Sequence, residues 1–191
     1  TRSNINDDHS IYGILDESNM KIVDENGNYT SAMFKEDLIR AKNNNKFVVN
    51  GSINKSNPNQ LTFKTLQEAL NHIRDGDTIW IAPGIYNGTG NVGLTIKNNI
   101  GLVKYGDGDV IFDGEQKNWI FRIFNNINIQ GITFINSNDS AIYISKGNSA
   151  ISNSIFANNS AKYSQSWGGA IFIDNSNFTI FNCSFVNNSA K

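Results

Sequence analysis

The sequence is poor in cysteine, proline and charge, and it contains no long hydrophobic run. Cys183 is the single cysteine among 191 residues, which excludes an internal disulfide. The two prolines leave most strands uninterrupted. Charged residues make up 17% of the chain and the net charge is −1, so no basic face suits a nucleic-acid backbone. No apolar run reaches the roughly 18 residues of a membrane span, so we expect none in this segment.

Asparagine is the residue that the chain has in excess. It occurs 32 times, or roughly one residue in six, where Leu, Ala and Gly usually lead. Its side chain bonds to the backbone of its own turn and tolerates the left-handed conformation, so an Asn-rich chain is rich in turns. Between these turns lie short runs of alternating apolar residues, which indicate strands rather than helices.

The second half of the chain repeats itself. Three segments share one pattern of alternating apolar residues before an asparagine: Ile127–Asn136, Ser149–Asn158 and Phe178–Asn187. Two segments share another: Ser140–Ser145 and Gly169–Asp174. Phe134 and Phe156 are 22 residues apart, which is too short for a propeller blade of about 40–50 residues. Stacked repeats whose strands pair about 4.8 Å apart predict an all-β fold, a right-handed single-stranded parallel β-helix.

The alternation also predicts which side chains fill the core. We expect three inward positions in each repeat: Ile129, Ile132 and Phe134, then Ile151, Ser154 and Phe156, then Ile180, Cys183 and Phe185. Cys183 is therefore predicted to be a core residue and not a nucleophile, because no base is placed beside it. Earlier short strands are predicted at Thr78–Ile81, Leu94–Ile96, Leu102–Val103, Val110–Phe112 and Ile120–Ile123.

We divide the chain into residues 1–60, an N-terminal extension and cap region, and residues 61–191, a capping helix followed by β-helix coils. Thr65-Leu-Gln-Glu68 is a capping box, and apolar residues at helical spacing predict a helix over 65–75. A solenoid needs such a cap, because its open end exposes an unpaired ladder. We expect further β-helix repeats C-terminal to Lys191.

The N-terminal region has weaker patterns. Ser31–Lys42 is predicted to be a helix, and Lys46–Val49 a strand. Met20–Val23 and Tyr29–Met33 flank an Asp-Glu-Asn-Gly turn, which predicts a hairpin.

Several motifs resemble those of known β-helix families. Thr62–Leu70, Gly76–Ile79 and Ala82–Tyr86 resemble the start of pectate-lyase-like domains. Gly168–Ile171 with Phe185–Asn188 is similar to the paired motifs of chlamydial polymorphic membrane protein repeats. Together with the Asn-rich composition, both resemble the adhesin-like surface proteins of methanogenic archaea, over about residues 46–191. This resemblance implies an extracellular, cell-surface location, long repeat arrays and adhesion to glycans or surface proteins of other cells.

Two other functions stay open at this point, a polysaccharide lyase or hydrolase fragment and a structural stalk without a ligand. Such enzymes need clustered carboxylates with a base beside them. The candidate acids Asp113, Asp139 and Asp174 are scattered, and the candidate cations are Arg122, Lys97, Lys104 and Lys146. We therefore predict no catalytic residue, no metal site and no cofactor in this chain. Asp107 and Asp109 are interpreted as turn residues rather than calcium ligands.

The outward face of the predicted strands carries the candidate binding residues. If Ile142 and Ile144 point inward, Tyr143 points outward, and by the same alternation Phe172 and Arg122 join it in one column. Trp167 lies in the insertion just before the Phe172 strand. Exposed aromatic rings suit the apolar faces of sugars, so Tyr143, Phe172, Trp167 and Arg122 are predicted ligand contacts. The alternative is that the insertion merely covers the column.

Glycosylation is a further expectation. Nine Asn-X-Ser/Thr sequons mark candidate sites at Asn28, Asn50, Asn54, Asn87, Asn138, Asn158, Asn177, Asn182 and Asn187. The alternative is that these asparagines stack in turns and bond to the backbone.

Overall fold

The chain forms two compact units that consist mostly of β-strand. The computed structural model describes residues 2–6, 12–16, 21–23, 32–162 and 168–191. The first unit comprises Thr1–Lys46 and Asn57–Leu61, and the second comprises Phe47–Ser56 and Thr62–Lys191.

The first unit combines a small antiparallel sheet with one α-helix. Its elements are β1 (Arg2–Asn6), β2 (Tyr12–Asp16), β3 (Lys21–Val23), α1 (Ala32–Lys42) and a 3-10 turn at Pro58–Gln60. The predicted helix is confirmed as α1. The first strand of the predicted hairpin contains β3, which pairs with β2. The second strand is wrong at Ala32 and Met33, which belong to α1, and its residues 29–31 lie outside the described residues. A short apolar run near a turn fits a strand and a first helical turn equally well.

The second unit contains three parallel sheets and a two-stranded ladder. Sheet I consists, in spatial order, of β5 (Thr62–Phe63), β4 (Phe47–Val49), β6 (Thr78–Ile81), β9 (Ile100–Lys104), β12 (Ile127–Gln130), β15 (Asn148–Ser152) and β19 (Asn177–Phe181). Sheet II consists of β7 (Gly84–Asn87), β10 (Val110–Asp113), β13 (Ile132–Ile135), β16 (Ile155–Ala157) and β20 (Ser184–Val186). Sheet III consists of β8 (Leu94–Ile96), β11 (Phe121–Ile123), β14 (Ile142–Ser145) and β18 (Ile171–Asp174). The ladder joins β17 (Ser160–Ala161) to β21 (Ser189–Ala190).

Consecutive strands enter the three sheets in rotation. From β6 to β16 the chain visits sheets I, II and III in turn, and each strand pairs in parallel with the equivalent strand of the next repeat. The predicted stacking of repeats through parallel strands is therefore confirmed. The short strands at residues 46–49 and 78–123 are found where the alternation places them, as β4, β6 and β8 to β11.

Helix α2 (Leu66–Leu70) is shorter than predicted. Its capping box is present, because Thr65 Oγ1 accepts the Glu68 N–H and the Glu68 carboxylate accepts the Thr65 N–H. The helix ends at Leu70, however, and does not run on to residue 75. Ile73 lies beyond the end of the helix but is also buried. Its spacing from Leu66 and Ala69 therefore matched that of a longer helix. The helix packs against β4 and β5, the strands at one end of sheet I.

The inward side chains of sheet II form a ladder of aromatic rings. Tyr86, Phe112, Phe134, Phe156 and Phe185 occupy equivalent positions of successive strands. Adjacent ring centroids lie 5.2, 6.0, 5.0 and 5.2 Å apart. The first four rings are fully buried, and burial of one such side chain contributes about 1.5–3 kcal/mol. The predicted inward residues of the first two repeats, Ile129 to Phe156, are confirmed as core.

The last repeat departs from that prediction in its burial. Ile180 and Phe185 align with Ile151 and Phe156, but they are 45% and 47% exposed. Cys183 is half-buried, with its Sγ 3.3 Å from the Phe181 carbonyl oxygen. The reason is that β18, β19 and β20 each have a neighbouring strand on one side only within the described chain.

Left-handed residues recur at the same turn positions of successive repeats. Gly131, Asn153 and Asn182 share one position, with φ of 75°, 50° and 49°. Asn136, Asn158 and Asn187 share another, with φ of 54°, 56° and 52°. Asparagine adopts this conformation more readily than other residues that carry a Cβ. Two left-handed turn positions in each repeat therefore account for part of the asparagine content.

A different asparagine ladder lies inside the unit. Asn159 is fully buried, and its Nδ2 donates to the Phe134 carbonyl at 3.0 Å and to Asn188 Oδ1 at 2.9 Å. Its Oδ1 accepts the Ser137 N–H at 3.0 Å. These bonds satisfy backbone groups at a corner where the strand ladder is interrupted.

Candidate functional site

The outer face of sheet III carries the predicted column of side chains. Arg122 is paired in register with Tyr143, and Tyr143 with Phe172. The Tyr143 and Phe172 rings stack with centroids 5.5 Å apart and an interplanar angle of 27°. Arg122 is exposed, whereas Tyr143 and Phe172 are half-buried. The predicted outward alternation thus holds on all three strands, and the role of the column as a ligand site stays a prediction.

Three further side chains turn this column into a cleft of about 320 Å³. Trp119, Phe124 and Asp139 line it together with the column and Ser140. The Phe124 ring is 43% exposed and lies 5.8 Å from Tyr143 at an angle of 54°. The volume is at the lower end of the range for small-molecule pockets.

Arg122 contacts both an aromatic ring and a carboxylate. Its guanidinium carbon lies 4.4 Å from the centroid of the Trp119 ring, which is a cation–π contact. Its Nη2 lies 3.8 Å from Asp139 Oδ2. The Asp139 side chain is itself held by the chain turn, because its Oδ1 accepts the Ser140 N–H at 2.7 Å. These contacts fix the orientation of Arg122 in the cleft.

At the other end of the column, Tyr143 contacts a second carboxylate. Its hydroxyl donates to Asp174 Oδ2 over 3.4 Å, a long hydrogen bond. Asp174 ends β18, and its backbone carbonyl accepts the Lys146 N–H. The cleft therefore has an aromatic middle and polar groups at both ends.

The sequence analysis did not identify Trp119 and Phe124, and it considered Asp139 only as a candidate acid and not as a ligand contact. Phe124 could have been found, because it follows Arg122 by two residues and so lies on the same outward face. Trp119 and Asp139 lie in turns before β11 and β14, where no periodicity applies. The predicted contact Trp167 lies outside the described residues.

The candidate acids are less scattered than predicted, because Asp139 lines the cleft beside Arg122 and Asp174 bonds to Tyr143. Asp113 Oδ1 accepts the Glu115 N–H and the Asn136 side-chain amide, which is a turn role on sheet II. Asp107 and Asp109 lie exposed in a bend. Among the described residues, no group of three His, Cys, Asp or Glu side chains could hold a metal ion.

A second, shallower groove runs along one margin of sheet I, with a volume of about 760 Å³. Asparagine amides line it, including Asn126, Asn148 and Asn177. They bond to one another, because Asn126 Oδ1 accepts the Asn148 N–H at 2.6 Å and Asn177 Nδ2 donates to Asn148 Oδ1 at 2.9 Å. Phe178 is the one aromatic residue that lines the groove, whereas four line the cleft on sheet III, so the cleft offers the richer set of ligand contacts.

The candidate glycosylation sites differ in their surroundings. Six of the sequon asparagines are exposed: Asn54, Asn87, Asn158, Asn177, Asn182 and Asn187. Asn50 and Asn138 are half-buried, and Asn28 lies outside the described residues. The Nδ2 atoms of Asn177 and Asn182 bond to asparagines of the preceding repeat, at 2.9 and 2.7 Å. A glycan at either position would replace one of the two Nδ2 hydrogens and leave a single N–H for that bond.

No protein-family model, no curated protein and no solved structure matches this chain. In the part of the chain that the structure describes, no helix is both long and apolar enough to cross a membrane.

Proposed function

We propose that this chain belongs to an extracellular, cell-surface, adhesin-like protein, and that it binds glycans through the cleft on sheet III. The observation that carries the proposal is the alignment of Arg122, Tyr143 and Phe172 on one outer face, with Trp119 and Phe124 beside them. Aromatic side chains with a few convergent polar groups are typical of ligand sites.

The fold that we propose is a right-handed parallel β-helix with an N-terminal helical cap. It is supported by the order in which consecutive strands join the sheets, since they enter sheets I, II and III in turn. The packing of α2 on β4 and β5 supports the cap, because these strands form the end of sheet I that would otherwise be open. A stack of this kind presents long outer faces, which repeat proteins commonly use for binding.

The test is binding of the labelled, purified chain to an array of microbial, plant and animal glycans. The double variant Tyr143→Ala/Phe172→Ala should lose at least tenfold in affinity, because it removes both stacked rings of the cleft. The matched control is Trp80→Ala/Tyr105→Ala, which removes an aromatic pair of the outer face of sheet I, with ring centroids 6.4 Å apart. The control should bind as the wild type does.

Thermal unfolding of all three proteins separates loss of a ligand contact from loss of the fold. Equal binding by the wild type and the cleft variant would contradict the site. Absence of glycan binding by the wild type would contradict the function.

A further inference from the structure

Arg122 and Asp139 lie side by side in the cleft without forming a hydrogen bond. Their closest atoms are 3.8 Å apart, beyond the roughly 2.7–3.2 Å of such a bond. The two side chains are 46% and 27% exposed, so a ligand can reach both. The guanidinium carries five N–H donors, and a carboxylate has about four acceptor positions. The pair therefore has hydrogen-bonding capacity that it does not use on itself.

A hydroxyl-bearing ligand without charge suits this pair best. A hydroxyl accepts from Arg122 and donates to Asp139, and two neighbouring hydroxyls of a sugar ring can do both at once. An acidic ligand would satisfy Arg122 only, and its charge would be repelled by Asp139. A cationic ligand would satisfy Asp139 only, against the charge of Arg122.

The charges around the cleft do not favour an anion either. Asp174 accepts the Tyr143 hydroxyl at the far end of the column, so a second carboxylate borders the site. The charged groups that the structure places at the cleft are thus one cation, Arg122, and two carboxylates, Asp139 and Asp174. They provide no excess positive charge to hold an acidic sugar.

Phe124 supplies the apolar contact that a sugar ring needs. Tyr143 and Phe172 cover part of each other by stacking, and the Trp119 ring is covered by Arg122. Phe124 remains 43% exposed and is tilted against Tyr143. Its ring lies on the same strand face as Arg122, two residues further along the chain. A pyranose that packs its C–H face on Phe124 would direct hydroxyls towards the neighbouring polar pair.

We propose that the cleft takes an uncharged hexopyranose unit and discriminates against uronic and sialic acids, with Arg122 and Asp139 bridging adjacent hydroxyls and Phe124 packing on the ring. This inference rests on the proposed glycan-binding function and names the class of sugar.

The experiment measures affinities of the purified chain for matched tetrasaccharides. Uncharged glucose, mannose and galactose tetramers are compared with tetragalacturonate, sialylated tetrasaccharides and the methyl ester of tetragalacturonate. The ester keeps the acidic oligomer's skeleton and removes its charge. We expect the best uncharged ligand to bind at least tenfold tighter than any acidic one. Its affinity should change less than twofold between about 0.05 and 0.5 M salt, because screening acts on net charges.

Asp139→Asn provides the residue-level test. The substitution retains an Oδ1 that can accept the Ser140 N–H, so the local turn is preserved. It removes the charge and places an Nδ2 donor where Oδ2 would accept the proton of a sugar hydroxyl, which should lower the affinity for the uncharged ligand about tenfold. Asp107→Asn makes the same change of charge at an exposed bend and should leave the affinity unchanged.

The outcomes separate the two proposals. Acidic oligomers that bind the wild type as tightly as uncharged ones would overturn the sugar class and leave glycan binding intact. An Asp139→Asn variant that binds the uncharged ligand as tightly as the wild type does would overturn the role of Asp139 in the same way. Absence of binding to every tetrasaccharide and to the glycan array would overturn both.

Discussion

Replacement of Asn159 by alanine should destabilise the second unit far more than its small change in volume suggests. The Asn159 side chain is fully buried and makes three hydrogen bonds, to the Ser137 N–H, the Phe134 carbonyl and the Asn188 amide oxygen. Alanine leaves the first two, both backbone groups in buried residues, without this partner. Backbone groups of this kind are costly to bury without a hydrogen bond.

The size of the effect follows from the number of bonds lost. A buried donor or acceptor that loses its hydrogen bond costs about 1–3 kcal/mol, and here the Ser137 N–H and the Phe134 carbonyl each lose one. We expect a decrease of about 3 kcal/mol in the free energy of unfolding. For a chain of this length, that corresponds to a decrease of about 6–12 °C in Tm.

Asn177→Ala is the matched control. Asn177 also belongs to a ladder, since its Nδ2 donates to Asn148 Oδ1 at 2.9 Å, but it is exposed and water can replace the bond. We expect the free energy of unfolding to decrease by less than about 0.5 kcal/mol. Urea unfolding followed by circular dichroism gives both values. A loss for Asn159→Ala below about 1 kcal/mol, or equal to that of Asn177→Ala, would refute the reasoning that the buried amide satisfies the backbone.

Two further predictions concern the core and the cap. Phe134→Ala should lower the free energy of unfolding by about 3–5 kcal/mol, because the buried ring contacts Phe112 and Phe156 within its ladder. Phe185→Ala should lower the free energy of unfolding by less than half as much, because that ring is 47% exposed. Equal decreases for the two variants in urea unfolding would contradict the difference in burial between Phe134 and Phe185. Burial acts to raise the pKa of Glu68, but hydrogen bonds from Ser56 and Thr65 outweigh it and lower the pKa below its ordinary value of 4.5. The contribution of the Glu68 carboxylate to the free energy of unfolding should therefore be complete above about pH 4.5 and be lost as the pH falls through the lowered pKa. Glu68→Gln should be less stable than the wild type at pH 7 and should approach it at pH 3; a constant difference would contradict this.

The repeats could be predicted from the sequence because two independent periodicities agree there. The side-chain period of a strand is two, so the alternation around Ile129 and Phe134 assigns each residue to a face. The distance of 22 residues between Phe134 and Phe156 then sets the pairing of one repeat with the next. Alternation, together with the shared pattern of Ser140–Ser145 and Gly169–Asp174, likewise placed Arg122, Tyr143 and Phe172 in one column.

Prediction failed where a short segment had no repeat to support it. Met33 and Ile73 fitted the patterns of a strand and a helix, but the structure places Met33 in α1 and Ile73 in a turn after α2. Turn residues posed the same difficulty within the site. Trp119 and Asp139 contact Arg122 from the connections that precede β11 and β14. No periodicity predicts the conformation of such connections.

The burial of the last repeat shows a further limit of sequence patterns. Ile180 has the same pattern and the same register as Ile151, yet one is 45% exposed and the other is fully buried. A pattern assigns a side chain to a face, whereas burial depends on neighbours on both sides of the strand. Exposure therefore had to be read from the structure.

The most direct test of the central claim, ligand binding on the outer face of sheet III, is a crystal structure of the chain soaked with the tetrasaccharide that it binds most tightly. We expect a sugar ring packed on Phe124 with hydroxyls between Arg122 and Asp139. Sugar density along the asparagine groove of sheet I, or no density at the cleft, would contradict it.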